Sequence, residues 1–436
     1  MKSVFSAAVA VWSVCGKQKY RADAGYRLSN YSVQVPCDDG LLLYNTFTGA
    51  MYLLEKSESI EDNIKELVEN RFLVPDGMNE TQYTDDVRTI LSTLLKGMSV
   101  VKSFTILTTT ACNARCFYCY QAGSENITMS EKTALDTAAY IARVSGGEEV
   151  SLHWFGGEPL CNVGAIDTIC AELRDRGVAY HSKMVSNGYL FTTEIARRAA
   201  SLWKLRSVEI TLDGTKEVYL SAKAYANGDK DAFERVVDNI SCLADNGIKT
   251  IIRMNMDSRN AEDLLSLCGF LASRFSNNRN ICAYPVLLKG FVSSISEFDS
   301  EAMTEDAYIR LDKRLVELGL SKTDNLGRVM KLQRCMADND KCEVIMPDGS
   351  IEKCEHFSKN ERLGTIYGTH RDERYRSAWK ERVIYDSCAD CALYPLCIEL
   401  KKCPWSDGGC TATIRSLKLY KLKKSILAAY KEAKSE

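Results

Sequence analysis

The sequence predicts an α/β protein in which six strand-then-helix units form a parallel sheet. A smaller α+β stretch precedes the units and a cysteine-rich stretch follows them. Three observations lead there. Strand-like runs alternate with amphipathic helical patterns from residue 103 to residue 318, the signature of consecutive β/α units. At 436 residues the chain exceeds one compact core; at roughly 100–200 residues per domain, two to four domains are expected. The 18 cysteines gather in two places, which marks sites rather than a uniform composition.

Residues 1–100 carry short apolar or alternating runs at 31–35, 41–44 and 51–54, separated by turn-rich pieces such as CDDG and NT, with helical patterns at 60–70 and 84–96. A small sheet with helices fits that order. The strands of the central series are expected at 103–109, 150–154, 179–185, 207–211, 250–256 and 283–287. Its helices are expected at 131–144, 165–176, 193–201, 232–246, 261–273 and 301–318. Such a series closes into either an open layer or a partial barrel. Residues 325–410 are turn-rich with little periodicity, and such a segment needs cross-links in place of a core. The tail 414–434 reads as a docked amphipathic helix with a solvated lysine face. The predicted division is 1–100, 101–330, 331–412 and 413–436.

Hydrophobic residues make up 45% and charged residues 26%, a balance typical of globular proteins. A net charge of -2 gives no global basic field for nucleic acid. No apolar run approaches the length of a transmembrane helix, and the first 17 residues lack a clear cleavage site. A cytoplasmic protein is expected, where clustered cysteines signify metal ligands more often than disulfides. The seven scattered cysteines, Cys15, Cys37, Cys161, Cys170, Cys242, Cys268 and Cys282, read as small buried hydrophobes.

The first cluster, Cys112, Cys116 and Cys119 in CNARCFYC, directly follows the first strand of the series. Loops at the carboxyl ends of parallel strands are where such folds build sites. Three thiolates on one tight loop leave one corner of a cubane [4Fe–4S] cluster without a cysteine, and an open iron position can take a substrate or cofactor. A three-cysteine zinc site would need a fourth ligand such as histidine, and none of the four histidines is nearby.

CxxxCxxC after strand one resembles the radical S-adenosylmethionine (radical SAM) enzymes. In that family the vacant iron chelates the methionine part of the cofactor, and Tyr118 matches the aromatic set against the adenine. Further matches fall in order. GGEP (Gly156, Gly157, Glu158) follows strand two, and its family counterpart receives the methionine ammonium. SNG (Ser186, Asn187) follows strand three and resembles a loop that touches the cofactor's carboxylate or ribose. TLDG (Asp213) follows strand four, and RMN (Arg253) lies in strand five, both resembling elements that border the cofactor. The resemblance covers about residues 100–330 and implies a partial (β/α)6 TIM-type barrel.

The second cluster resembles the SPASM extension of this family, which holds two auxiliary [4Fe–4S] clusters, making three in all. Matched by order, Cys335, Cys342, Cys354 and Cys403 would hold one, and Cys388, Cys391, Cys397 and Cys410 the other. A pair of zinc knuckles is the alternative the spacing leaves open. One departure stands out: five residues separate Cys397 from Cys403 where the family usually has three. The turn Pro347-Asp348-Gly349 would return Cys354 toward Cys342. Glu355 matches the acidic residue that accepts a proton near substrate in sulfatase-maturing relatives, with His356 beside it. The stretch around LLLYNTFTGAMYLL resembles the winged-helix-like domain with which peptide-modifying SPASM enzymes bind a leader.

The resemblance thus implies an enzyme that uses a 5′-deoxyadenosyl radical to take hydrogen from a ribosomally made precursor peptide and installs thioether crosslinks. The electron would come from a donor such as flavodoxin or ferredoxin, and neither nucleic acid nor membrane is a partner. An anaerobic sulfatase-maturing enzyme that forms formylglycine is the runner-up. A zinc-stabilised binding module without catalysis is the third reading.

Overall fold

The computed structural model describes residues 2–5, 13–95, 100–275, 278–288, 301–321, 326, 330–356, 362–406 and 409–435. The chain forms two compact units, each from separated stretches. One comprises residues 1–99, 323–335 and 380–436; the other, the β/α unit, comprises 100–322 and 336–379.

The first unit begins with β1 (Lys2–Phe5), β2 (Tyr26–Leu28), β3 (Ser32–Cys37), β4 (Gly40–Asn45), β5 (Met51–Glu55), α1 (Ile64–Glu69), β6 (Leu73–Pro75) and α2 (Glu80–Leu95). An antiparallel sheet runs β1-β5-β4-β3, and β2 pairs with β6. The apolar run of β4 has a simple cause: both of its faces are covered. Leu42 and Tyr44 face one apolar cluster with Val33 and Leu53, while Leu43 faces another with Leu67, Val68 and Phe72.

The β/α unit carries β7 (Ser103–Leu107), α3 (Glu131–Val144), β8 (Val150–Phe155), α4 (Val163–Asp175), β9 (Tyr180–Ser186), α5 (Thr193–Ser201) and β10 (Leu205–Thr211). It continues with α6 (Lys216–Lys223), α7 (Ala232–Asp245), β11 (Lys249–Met256), α8 (Ala261–Phe275), β12 (Ile281–Leu287) and α9 (Glu301–Glu317). β13 (Cys342–Ile345), β14 (Ser350–Glu352), β15 (Gly364–Thr365) and α10 (Glu373–Ala378) complete it. The order is β12-β11-β10-β9-β8-β7-β13-β14-β15, so β7 through β12 form six consecutive parallel strands. The sequence-predicted α/β fold with a central parallel sheet is therefore present. Strand alternation sets the layers: Val150, Leu152 and Trp154 of β8 are fully buried, whereas Ser151, His153 and Phe155 are half-buried.

The sheet also extends in a direction that sequence order does not suggest. β13 pairs parallel to β7, with Cys342 opposite Ser103, and β14 then pairs antiparallel to β13. Gly349, at φ 82°, closes that hairpin, as the Pro-Asp-Gly turn predicts.

The rest of the first unit consists of β16 (Arg382–Val383), β17 (Glu399–Leu400) and α11 (Ala412–Ser435). α11 lays Leu422 and Ile426 on Val33 and Val35 of β3, and Tyr430 and Lys434 both donate to Asp39. The C-terminal lysine-rich stretch is thus a docked helix. No described helix is long and apolar enough to cross a membrane.

Candidate functional site

The three-cysteine loop leaves the carboxyl end of β7 and is fastened by backbone on both sides. Arg115 N–H donates to the carbonyls of Lys223 (2.9 Å) and Ala224 (3.1 Å), and Ala226 N–H donates to Asn113 O (2.9 Å). Ala224 sits in the left-handed region, φ 44°, which costs a non-glycine residue roughly 1–2 kcal/mol. That turn aims two carbonyls at the loop. Cys119 N–H closes a turn on Cys116 O at 3.1 Å.

The GGEP loop lies directly against this one. Gly157 N–H donates to Thr109 O (3.0 Å) and Glu158 N–H to Ala111 O (2.9 Å). A Cβ on Gly156 would stand 2.2 Å from Thr109 O, and one on Gly157 would stand 2.3 Å from Ala111 O and 2.4 Å from Thr110 O. The glycines therefore serve backbone-to-backbone packing of two loops. The close approach expected of them toward a ligand is an approach to residues 109–111.

Glu158 differs in the same sense from its expected role beside an ammonium. Its carboxylate is fully buried and accepts from Leu160 N–H (3.1 Å), Ser186 Oγ (2.9 Å) and Asn187 N–H (2.8 Å). It ties GGEP to SNG and leaves the open side to other groups. Burial raises its pKa to about 6, opposed by those three hydrogen bonds. Asn187 Nδ2 reaches Asn113 Oδ1 (2.7 Å) and stands 3.9 Å from Cys112 Sγ. Ser186 Oγ also accepts from Gly188 N–H at 3.0 Å.

On the other side lies a group that sequence reasoning missed. Lys223, 1% exposed, donates to Tyr118 OH (2.7 Å) and Thr211 Oγ1 (2.5 Å) and pairs with Asp213 at 2.8 Å. Tyr118 OH donates to Asp213 Oδ2 at 2.5 Å. Tyr118 and Asp213 are thus joined directly, and a buried cation joins them. The signal available was the short amphipathic pattern of Lys216–Lys223, which follows TLDG. Arg253 pairs with Glu209 (3.4 Å), and Tyr284 OH donates to the same carboxylate (2.6 Å), a polar row across β10, β11 and β12.

Glu355 also falls in this unit. Its Oε1 is 3.2 Å from His356 Nδ1. The His356 ring stacks on Tyr120 at 4.4 Å and lies 5.6 Å from Phe155. Burial pushes the Glu355 carboxyl up, but the hydrogen bond and charge of His356 outweigh that and hold it below its ordinary value. Cys354, Glu355 and His356 each offer a ligand atom within 4.8 Å of the others. His153, half-buried on β8, is lowered to about 4 by desolvation and by Lys183.

Of the eight later cysteines, Cys388, Cys391, Cys397 and Cys410 come together within the first unit, and burial together with the other three thiols raises the Cys391 pKa. Lys418 Nζ reaches Cys397 Sγ at 3.5 Å. Cys335 and Cys403 belong to that unit, whereas Cys342 and Cys354 belong to the β/α unit. Among the scattered cysteines, Cys170 and Cys268 are fully buried as expected. Cys15, Cys37, Cys242 and Cys282 are half-buried and Cys161 is exposed, so five of the seven depart from the expected burial.

The donor set fits an iron–sulfur cluster. Three thiols share one loop, and buried Asn113 Nδ2 beside Cys112 has no hydrogen-bond partner. A metal would displace those thiol protons on binding.

Residues 106–271 match the radical SAM superfamily, and the chain carries a radical SAM domain. Two curated relatives are the radical SAM cyclopropyl synthase TigE of Paramaledivibacter caminithermalis and the Fe-coproporphyrin III synthase of Methanosarcina barkeri. TigE is 23% identical over 225 residues, 47% of this chain and 44% of that protein. The synthase is 23% identical over 218 residues, 50% of each. The chain thus spans about half the length of these relatives. The fold is similar to that of two proteins of known structure. anSMEcpe with bound AdoMet has a TM-score of 0.56 at 15% identity, over 77% of this chain and 100% of its own. SuiB of Streptococcus suis has a TM-score of 0.53 at 14% identity, over 87% and 94%. Each has been solved with a peptide: Cp18Cys on anSMEcpe and the precursor SuiA on SuiB.

Proposed function

We propose that this protein is a radical SAM peptide maturase that installs thioether crosslinks in a ribosomally made precursor peptide. In this reading Cys112, Cys116 and Cys119 hold a [4Fe–4S] cluster with one vacant iron, and the eight later cysteines hold two auxiliary clusters. The observation that carries it is the cysteine loop at the carboxyl end of β7, packed against GGEP and tied through Glu158 to SNG.

Held by Cys112, Cys116 and Cys119, such a cluster would supply the electron for reductive cleavage of S-adenosylmethionine, which generates the radical that abstracts hydrogen. The chain's own part is placement. Glu158 acts as a positioning residue that fixes Ser186 and Asn187, while Tyr118, Asp213 and Arg253 border the cofactor. Glu355 accepts a proton at its carboxylate, with His356 Nδ1 as its immediate partner. Residues 1–100 engage the leader, and flavodoxin or ferredoxin delivers electrons in the cytoplasm.

Anaerobic reconstitution tests the cluster plan: about twelve irons per chain are expected from three four-iron clusters. Stoichiometric zinc without iron overturns it in favour of a binding module. Co-expression with a short cysteine-containing peptide encoded beside the gene then tests the product by mass spectrometry. Loss of two hydrogens per link, with a cysteine that resists alkylation after reduction, supports the thioether; the same loss with every cysteine still alkylated points to a carbon–carbon link, and an aldehyde at a cysteine supports formylglycine.

A further inference from the structure

The β/α unit buries a lysine that none of the roles above requires. Lys223 closes α6, and its carbonyl already fastens the cysteine loop through Arg115 N–H at 2.9 Å. Its side chain then turns to the same loop from within. The ammonium reaches Tyr118 OH at 2.7 Å and Asp213 at 2.8 Å, with both charged side chains 2% exposed. It also lies 5.3 Å from the Tyr118 ring centre. Tyr118 stands between Cys116 and Cys119 in the sequence, so the charge is held against the middle of the metal-binding segment. For the lysine, burial favours neutrality, and Asp213 outweighs it, so Lys223 remains charged.

We infer that Lys223 is a positioning residue that also sets the reduction potential of the cluster on the Cys112–Cys116–Cys119 loop, as a fixed positive charge locked in place by Asp213 and Tyr118. The inference rests on the reading that these three thiols hold a cluster. Its physics is direct: reduction adds an electron, a buried cation favours the reduced state, and little water screens it there. Asp213 counters that charge, so the pair defines two opposite levers at one place. A clamp without electrical influence would have only one.

The test is an EPR-monitored redox titration of reconstituted full-length protein, following the signal that changes when S-adenosylmethionine is added. Iron is assayed first. Lys223→Met is expected to shift the midpoint to more negative potential, Asp213→Asn to shift it to more positive potential, and Lys223→Arg to stay near the parent value. Shifts of the same sign in the first two variants, or no shift in either, overturn the inference. If Lys223→Met loses its iron, Lys223→Gln decides in its place: a shift to more negative potential supports the inference, and a positive or absent one overturns it. Parent protein that binds no iron overturns the inference together with the cluster reading, and the iron assay separates that failure from the others.

Discussion

In the β/α unit the loop carrying Cys112, Cys116 and Cys119 is fastened by Lys223; in the first unit the stretch between Cys391 and Cys397 is fastened by Arg88. Both cations are almost fully buried, at 1% and 2% exposure. Arg88 donates to the carbonyls of Lys331 (3.0 Å), Tyr394 (3.0 Å) and Pro395 (3.3 Å) and pairs with Asp85 at 2.8 Å. Tyr394 OH donates to the same aspartate at 2.6 Å. A planar guanidinium suits several carbonyls at once, whereas an ammonium acts as a point charge. Arg88 therefore binds backbone, and its role is to hold shape. Lys223 binds a carboxylate and a phenol beside the thiols, where its charge acts on them. One fold thus uses buried cations for two purposes, and the identity of the partner tells them apart.

Cysteine replacement gives the largest expected contrast. Cys116→Ala is expected to abolish cleavage of S-adenosylmethionine, read as 5′-deoxyadenosine by chromatography, while Cys391→Ala retains at least part of it. Equal and complete loss in both would erase the functional difference between the loops. Arg88→Met is expected to destabilise the first unit by about 2 kcal/mol, because it removes the ion pair with Asp85 and the side-chain donor to Lys331 O, while Tyr394 OH still reaches Asp85 and backbone N–H groups still reach the Tyr394 and Pro395 carbonyls. Denaturant unfolding measures this, and the S-adenosylmethionine-sensitive EPR signal is expected to remain unchanged.

Gly157→Ala is expected to cost about 3 kcal/mol by the same measurement, because two carbonyl oxygens within 2.4 Å of the new Cβ must move. Glu158 gives a pH signature to the β/α loop. Its folded pKa of about 6 exceeds its ordinary 4.5, so its contribution to folding is fully present below pH 4.5 and is lost as pH rises through 6. That loss amounts to about 2 kcal/mol, and Glu158→Gln is expected to flatten the slope across this window. The smallest effect serves as a reference: Ser130→Ala removes the cap that accepts from Thr133 N–H at 3.1 Å, costs about 1 kcal/mol, and leaves both loops untouched.

Local periodicity made much of the β/α series legible. The helices Glu131–Val144 and Thr193–Ser201 begin and end where the pattern places them, and each strand of the series lies within about two residues of its expected bounds. The cysteine loop and its GGEP and SNG neighbours were legible because chemistry-bearing residues followed strand ends. Other features were not. α6 is short and was passed over, and Lys223 reads in sequence like any solvated lysine, since only Asp213 distinguishes it. Arg88 is the same case. The working role of Gly156 and Gly157 depends on carbonyls 47 residues earlier, at Thr109 and nearby, and a dipeptide carries no record of that. β13 lies in a segment with weak periodicity, and its pairing with β7 spans most of the chain.

That pairing bears on how the molecule is made. β7 is an interior strand, with β8 on one side and β13 on the other, yet residues 342–345 leave the ribosome long after residues 103–107. At synthesis rates of about 5–20 residues per second the delay is roughly 10–50 s. Throughout it, the nascent strand that bears the thiol loop has one bare edge. The sheet around that loop is therefore complete only once residues 342–345 have been made and paired with β7.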